Sequence, residues 1–186
     1  MKFTETEIPG VLIVEPDVFK DERGFFLETF HAARYAEQTG ISLPFVQDNH
    51  SLSRDIGVVR GLHYQCPPHA QDKLIRVVRG RILDVAVDIR KASPTFGRWV
   101  SAEISANDWN QIYIPKGFAH GFMTLEPDTE VIYKVSSAYA PDAERTIMWN
   151  DPDLGIIWPI GAGDVTFSAK DANGMHFTDY CADPTF

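Results

Sequence analysis

The sequence predicts an all-β fold, an antiparallel sandwich or barrel with a few short helices. Several short runs alternate apolar and polar residues, as strands do when one face is buried, and turn-forming residues separate these runs. No repeat, low-complexity tract or Gly/Ser linker interrupts the chain. With 186 residues and 44% hydrophobic content, the chain can bury one sizeable core. We therefore expect a single domain that spans residues 1–186.

A helix is predicted over residues 31–38, with Gly40 as its stop. The clearest strand signal is the alternation over residues 83–90, which indicates a strand with one buried face. It follows the apolar run 74–78. Between the two runs, Arg79-Gly80 predicts a two-residue hairpin turn, because glycine tolerates positive φ.

The remaining strand candidates are four short segments, and the tail from Asp151 onward predicts irregular structure. Asn, Asp, Gly and Pro residues lie between the segments and favour turns. This rhythm is typical of antiparallel sandwiches and barrels. The segments are 98–104, 111–114, 118–125 and 130–136.

Charge and composition exclude several classes of protein. The net charge of -9 argues against a nucleic-acid-binding protein, so an anionic ligand would need a local cluster of cations. Cys66 and Cys181 are far apart and suggest neither a disulfide framework nor a zinc site. The first residues do not resemble a signal peptide, and no apolar run is long enough to span a bilayer. We expect a cytoplasmic protein without a membrane partner.

Two histidine segments bear on whether the protein holds a metal. Residues 115–120 match the later half of the metal-binding pattern of cupin barrels, a Pro-x-Gly turn followed by a histidine. The earlier half is broken, because His63 is followed by Tyr64 and Gln65 where a second histidine is needed, and the expected glutamate is missing. Two histidines fall short of the usual ligands of a catalytic metal. We expect no metal and no cofactor, with neutral imidazole as a base.

A series of short motifs runs in unbroken order through residues 8–171. They are DERGFF (21–26), FVQDNHS (45–51), RGLH (60–63), KLIR (73–76), DVAVDIR (84–90), SPTFG (93–97), IPKGFAHGF (114–122), WNDP (149–152) and SAKD (168–171). Together they resemble the dTDP-4-dehydrorhamnose 3,5-epimerase family, and residues 172–186 fall outside the resemblance. It implies a metal-free, cupin-like jelly-roll barrel, usually a homodimer. The implied reaction epimerises C3 and C5 of dTDP-4-dehydro-6-deoxy-D-glucose on the path to dTDP-L-rhamnose.

The resemblance assigns four residues to the chemistry. A hydrogen on C3 or C5 is weakly acidic, but the adjacent 4-keto group can accept its electrons as an enolate. By their motifs, His63 resembles the family's base and Asp171 the carboxylate that orients its imidazolium. Lys73 would place positive charge near the enolate oxygen. Tyr133 resembles the proton donor, which would deliver a proton opposite His63 and so invert the centre.

Tyr133 also has a purely structural interpretation. Strand alternation places Val131, Tyr133 and Val135 on one sheet face, so the ring points inward if the valines do. Without the resemblance, a core tyrosine with a hydrogen-bonded hydroxyl is the simpler hypothesis. The resemblance favours the proton donor.

Further residues match ligand-contacting positions of the family. Arg23, Arg60 and Lys170 match positions that meet the nucleotide diphosphate, for which cationic side chains are suited. Phe26 could offer a flat apolar surface to the base or sugar. The other matching residues are Glu28, Gln47, Asp48, Asn49, His120 and Glu144.

Two positions depart from the family pattern. Asp72 stands where many relatives have glycine and adds a negative charge next to Lys73. Ala138 replaces the first residue of a tyrosine pair and removes a possible stacking ring. The departures bear on nucleotide affinity and on whether one centre or both are inverted.

Three other functions remain open from the sequence. The nearest is a single-centre epimerase or a 3,4-ketoisomerase of another deoxysugar pathway, since the same base and fold could serve either. A non-catalytic sugar-nucleotide binding protein is disfavoured, because binding alone needs no matched acid and base. A metal-dependent cupin oxygenase is disfavoured by the missing ligands.

Overall fold

The computed structural model describes residues 1–40, 45–159 and 164–186. None of the helices in these ranges is both long enough and apolar enough to cross a membrane. The strands are β1 (Lys2–Glu5), β2 (Leu12–Glu15), β3 (Val18–Asp21), β4 (Gly24–Leu27), β5 (Gln47–Ser53), β6 (Val59–Gln65), β7 (Lys73–Arg79), β8 (Arg81–Asp88), β9 (Trp99–Ser105), β10 (Gln111–Ile114), β11 (Phe118–Thr124), β12 (Thr129–Val135) and β13 (Glu144–Thr146). The helices are α1 (Ala32–Thr39), α2 (Ala169–Ala172) and α3 (Phe177–Ala182), with a 3₁₀ turn at Pro141–Ala143.

Two antiparallel sheets pack face to face, which confirms the predicted all-β, cupin-like sandwich. The six-stranded sheet has the order β1-β2-β10-β7-β12-β5, and the five-stranded sheet has the order β13-β6-β11-β8-β9. The core between them contains Ile75, Ile112 and Val131 from the first sheet, and Ile82 and Phe122 from the second. Strands β3 and β4 form a separate two-stranded hairpin.

The predicted helix and the four later strands are confirmed. Strands β9 to β12 differ from the predicted segments by one residue at most at either end. His31 is the N-cap of α1, and Gly40 ends the helix with φ of +68°. Tyr35 on this helix packs with Leu74 and Tyr113, so α1 covers the outer face of the six-stranded sheet.

The predicted hairpin at Arg79-Gly80 is wrong. Strand β7 pairs with β10 and β12, whereas β8 pairs with β9 and β11, so the chain passes between the two sheets at this point. Gly80 has φ of +79°, and a Cβ atom there would lie 2.3 Å from Oγ1 of Thr129. Alternation indicates which face of a strand is buried and not which strand lies beside it, so a corner and a hairpin look alike in sequence.

Strand β8 is buried on both faces, whereas the sequence predicted one buried face. Asp84 and Asp88 are completely buried. Asp88 accepts hydrogen bonds from Arg90, Ser93 and Thr95, and Asp84 pairs with a histidine of β11. Buried carboxylates need such partners. The partner of Asp84 lies on another strand, where the local pattern could not indicate it.

The tail is more regular than predicted. Phe177 and Tyr180 of α3 pack into a second core cluster with Leu62, Tyr64 and Ile89. The hydroxyl of Tyr180 donates a 2.6 Å hydrogen bond to the backbone carbonyl of Ile89. A helix of 6 residues completes fewer than two turns and therefore carries little periodic signal.

We expect Tyr180→Phe to lower the free energy of unfolding by about 1–3 kcal/mol, because it leaves the buried carbonyl of Ile89 without its donor. Urea denaturation measures this change. Thr178→Ala on the exposed side of the same helix is the control and should change stability by less than about 0.5 kcal/mol. Equal stability of Tyr180→Phe and the unmodified protein would mean that this hydrogen bond contributes little to stability.

Candidate active site

A cavity of about 490 Å³ lies between the two sheets. Strands β5, β7 and β12 line it from the six-stranded sheet, and β6, β11 and β13 line it from the five-stranded sheet. Helix α2 closes one side. The lining residues are Gln47, Asn49, Ser51, Arg60, His63, Lys73, His120, Phe122, Tyr133, Tyr139, Glu144, Ser168, Lys170 and Asp171.

The pairing of β12 with β5 and β7 positions Tyr133 in the wall of this cavity. Tyr133 lies opposite Asn49 on β5 and Ile75 on β7. Val131 and Val135 on the same face are buried, so the ring points inward as the alternation predicted. Burial raises the pKa of Tyr133, and the positive charge of Arg60 opposes this effect. The phenol therefore stays protonated at neutral pH, as a proton donor must.

His63 and His120 face each other across β6 and β11. The two strands approach closely beside them, since a Cβ atom at Gly61 would lie 2.4 Å from Cα of Gly121. Gly61 also has φ of +138°, which side chains other than glycine rarely allow. Glycine at this position therefore allows the approach that brings both imidazoles to the cavity.

Asp171 holds His63 from helix α2. Nε2 of His63 lies 2.5 Å from Oδ1 of Asp171, and the hydroxyl of Ser168 donates to the other carboxylate oxygen at 2.7 Å. Burial lowers the pKa of His63, although the hydrogen bond to Asp171 opposes this effect. Burial also disfavours the charge on Asp171, but hydrogen bonds from His63 and Ser168 keep the pKa of that carboxyl below its ordinary value. The result is a neutral imidazole beside a carboxylate at neutral pH.

Lys73 lies on the wall formed by the six-stranded sheet and is almost completely buried. Its Nζ donates a 3.4 Å hydrogen bond to the backbone carbonyl of His63. Burial lowers the pKa of Lys73 to about 8, although the charges of Asp84 and Glu144 oppose the shift. An ammonium in this position can stabilise negative charge that develops on a ligand in the cavity.

Glu144 connects two segments at the edge of the cavity. Nζ of Lys170 donates to Oε1 of Glu144 at 2.9 Å, and the hydroxyl of Tyr139 donates to Oε2 at 3.0 Å. Burial disfavours the charge on Glu144, but the hydrogen bonds from Lys170 and Tyr139 keep its pKa below the ordinary value. The site therefore contains a carboxylate that already has two partners, with Arg60 and Lys170 as nearby cations.

Comparison with known proteins decides the family. The family model described as dTDP-4-dehydrorhamnose 3,5-epimerase matches residues 5–179. The chain belongs to this family.

Individual relatives agree over nearly the full length. The dTDP-4-dehydrorhamnose 3,5-epimerase of Shigella flexneri is 51% identical over 179 residues, which cover 96% of this chain and 97% of that protein. A 3,5-epimerase of Legionella pneumophila, solved in complex with dTDP-4-keto-L-rhamnose, is 47% identical with a TM-score of 0.91 over 95% of this chain and 93% of that one. The Mycobacterium tuberculosis epimerase has a TM-score of 0.95 at 38% identity, with 100% and 93% coverage.

The resemblance to the epimerase family indicated a set of site residues, and most of them lie in the wall of this one cavity. Four of them lie elsewhere. Arg23 and Phe26 are exposed on the β3–β4 hairpin, where they line a separate depression of about 350 Å³. Glu28 forms an ion pair with Arg34 of α1. Asp48 pairs with Lys134 on the outer face, because alternation turns residue 48 away when residues 47 and 49 face inward.

Four further residues line the cavity, although neither the sequence patterns nor the resemblance indicated them as site residues: Ser51, Phe122, Tyr139 and Ser168. Period-two alternation would have found the first two, since Ser51 follows Asn49 and Phe122 follows His120 on the same strand faces. Ser168 caps α2, a role that the Ser-x-x-Asp spacing indicates. Tyr139 lies in the connection after β12, where no periodic signal applies.

The two departures from the family pattern lie outside the reacting part of the cavity. Asp72 accepts hydrogen bonds from the hydroxyls of Tyr113 at 2.9 Å and Ser136 at 2.8 Å. The carbonyl of Ala138 accepts a hydrogen bond from Gln65. Asp72 therefore connects the start of β7 with β10 and with the segment that follows β12.

Proposed function

We propose that this protein is an isomerase that inverts C3 and C5 of dTDP-4-dehydro-6-deoxy-D-glucose to give dTDP-4-dehydro-L-rhamnose. One observation carries the proposal: a His63–Asp171 pair, Lys73 and Tyr133 line the same cavity. Family membership and the ligand named for the Legionella relative support the choice of substrate. The reaction belongs to dTDP-L-rhamnose biosynthesis, and we infer a cytoplasmic location for it.

His63 and Tyr133 lie on opposite walls of the cavity, which supports the roles of base and acid for them. His63 lies on β6 of the five-stranded sheet, and Tyr133 lies on β12 of the six-stranded sheet. With Nε2–H of His63 donating to Asp171, Nδ1 carries the lone pair that takes the proton. A sugar ring between the walls would lose a proton to His63 on one face and gain one from Tyr133 on the other. That order of events inverts the carbon centre.

Lys73 stabilises the intermediate of this reaction. When the C–H bond breaks, its electrons move to the oxygen of the 4-keto group, and the proton passes to His63. The buried ammonium of Lys73 offsets the enolate charge, which is a strong effect in a cavity of low polarity. Tyr133 then gives its proton to carbon, solvent restores the phenol, and His63 releases its proton. The same cycle at the second centre completes the product.

The cations of the cavity bind the nucleotide diphosphate. Arg60 and Lys170 supply positive charge to a chain with a net charge of -9. Gln47 and Asn49 on the inward face of β5 offer amide groups to the sugar or base. His120 offers an imidazole to the same ligand, while Glu144 keeps Lys170 in place.

We infer that the protein acts as a homodimer. Arg23 matches a ligand-contacting position, and Phe26 offers an apolar surface for the base or sugar. Both lie outside their own chain's cavity, on a hairpin where Phe19, Phe25 and Phe26 are exposed. Clusters of exposed large apolar side chains are typical of interfaces. A second copy whose cavity receives this hairpin would give both residues their role. Sedimentation velocity tests the inference, and a monomer at assay concentrations would contradict it.

Incubation with dTDP-4-dehydro-6-deoxy-D-glucose in deuterated water, followed by proton NMR, tests the proposed function. We expect deuterium at C3 and C5 and formation of the L-rhamno product. Exchange at one carbon alone would show a single-centre epimerase, and migration of the keto group would show a 3,4-ketoisomerase. Binding without exchange would show a sugar-nucleotide binding protein.

We expect a bell-shaped dependence of kcat/KM on pH. Activity rises as His63 loses its proton, at a pH below the ordinary imidazole value of 6.5, because burial lowers its pKa. Activity falls as Lys73 deprotonates, with a pKa lowered to about 8 by burial. Initial rates across the pH range measure both limbs. Activity that keeps rising well above the pKa of Lys73 would contradict the role of its ammonium.

Prolonged treatment with EDTA should leave turnover unchanged. Within residues 1–40, 45–159 and 164–186, no group of three His, Cys, Asp or Glu side chains is placed to hold a metal ion. The assay is the same epimerisation before and after chelation. Loss of activity with EDTA and its return with a divalent metal would refute the metal-independent mechanism.

A further inference from the structure

Helix α2 brings Asp171 to His63, although the helix is only 4 residues long. A single helical turn is not stable on its own, because its few hydrogen bonds do not offset the entropy that is lost when it forms. The carboxylate must nevertheless be placed accurately, since its Oδ1 lies 2.5 Å from Nε2 of His63. The position of Asp171 therefore depends on the contacts that hold the chain before and after α2.

Two short parallel bridges hold the chain on either side of α2. Before the helix, Thr166 pairs with Val58, just before β6 begins. The backbone N–H of Val59 donates to the carbonyl of Thr166 at 2.8 Å. After the helix, Met175 pairs with Ile147. Both ends of the segment that contains α2 are therefore fixed to backbone that belongs to β6 or lies beside it.

The second bridge leads directly to the strand that carries His63. Met175 makes two backbone hydrogen bonds of 2.9 Å, one to each neighbour of Ile147 in sequence. On its other side, Ile147 exchanges backbone hydrogen bonds of 2.9 and 3.1 Å with Leu62, the residue before His63. Three segments of backbone therefore lie side by side, and their hydrogen bonds set the separation between His63 and the end of α2.

Gly174 allows the close approach at this bridge. A Cβ atom at Gly174 would lie 2.8 Å from the backbone nitrogen of Met148 and 2.9 Å from the carbonyl carbon of Ile147. Both are backbone atoms of a paired segment, so they cannot turn aside as a flexible side chain does. Gly174 does not adopt the left-handed backbone that favours glycine, so the lack of space explains why glycine is needed. A side chain here would push the two segments apart.

We propose that Gly174 is a positioning residue for the epimerisation, because its lack of a side chain lets Met175 pair with Ile147 and so holds Asp171 against His63. This inference rests on the proposed function. Gly174 lies outside the cavity and acts through Asp171. Only two residues separate Gly174 from Asp171, so a displacement at the bridge is transmitted to the carboxylate.

Gly174→Ala tests the proposal, with Gly80→Ala as a matched control. A Cβ atom at Gly80 would also meet a close neighbour, 2.3 Å away on Thr129, but this corner between β7 and β8 lies outside the cavity. Both variants should therefore lower the melting temperature. Proton NMR at low temperature should show the Nε2 proton of His63 far downfield in the unmodified protein, because Asp171 accepts its hydrogen bond. His63→Ala identifies the signal, and no substrate is needed.

We expect the downfield signal to disappear or to move upfield in Gly174→Ala and to stay in place in Gly80→Ala. In the epimerisation assay, kcat of Gly174→Ala should fall about a hundredfold, the effect of displacing a catalytic group by about 1 Å. KM should change less than about threefold, because Arg60 lies on β6 and keeps its position. An unchanged signal in Gly174→Ala, or loss of the signal in both variants, would overturn the proposal.

Amide hydrogen exchange of the unmodified protein covers the case in which Gly174→Ala does not fold. The backbone N–H groups of Met148 and Met175 should exchange as slowly as that of Leu62. Fast exchange at both while Leu62 stays protected would also overturn the proposal, as would the absence of the downfield signal. If the unmodified protein binds the sugar nucleotide but does not exchange its protons, the proposed function fails. The two NMR measurements then still decide whether Gly174 holds Asp171 in place.

Discussion

Replacing His63 with alanine should abolish both deuterium exchange into the substrate and epimerisation. We expect both rates to fall by a factor of about a hundred to ten thousand. On the wall formed by the five-stranded sheet, His63 has the features of a base: a pKa lowered by burial and a carboxylate at 2.5 Å that orients it. His120 faces the same cavity, but its Nε2 is engaged with Asp84. Proton NMR in deuterated water measures both rates on one sample.

His50→Ala is the matched control for this experiment. His50 is also a histidine of the sheets, but it is exposed on the outer face and pairs with Glu130. Exchange and epimerisation should continue at the normal rate in this variant. If His63→Ala exchanged substrate hydrogen at nearly the unmodified rate, the base would lie elsewhere, and His120 would be the next candidate. Thermal unfolding of both variants separates lost chemistry from lost structure.

Local sequence patterns predicted the parts of this fold that depend on local forces. The helix begins at His31 and ends at Gly40 because a side-chain cap and a left-handed glycine act within one turn. Tyr133 points inward because Val131 and Val135, two positions before and after it on β12, are apolar and buried on the same face. In both cases the decisive contacts lie within a few residues of each other.

Features that depend on distant partners were not predictable from the same patterns. Gly80 turns the chain from one sheet to the other, which depends on the strands that later cover β7 and β8. Asp84 looked solvent-facing because its partner, His120, is 36 residues away in sequence. Asp171 meets His63 across 108 residues, and the motifs of the family indicated that pairing where periodicity did not.

Tyr133→Phe should separate proton removal from inversion, because it keeps the ring and deletes only the acid. The hydroxyl of Tyr133 makes no hydrogen bond within the described residues and lines the cavity. Its loss leaves no buried partner unsatisfied in that part of the structure, so stability should be nearly unchanged. His63 could still remove the proton, so the substrate should acquire deuterium while inverted product forms at least about a hundredfold more slowly.

Tyr113→Phe provides the structural control on the same sheet. The hydroxyl of Tyr113 is buried and donates to Asp72 at 2.9 Å, so its removal should cost about 1–3 kcal/mol of stability. Exchange and inversion should keep their normal ratio in that variant, because Tyr113 lies outside the cavity. Melting temperature, deuterium in recovered substrate and yield of inverted product, measured on one preparation, distinguish the two patterns. If Tyr133→Phe inverts substrate at the normal rate, Tyr133 is not the proton donor, and the donor must be Tyr139 or a bound water.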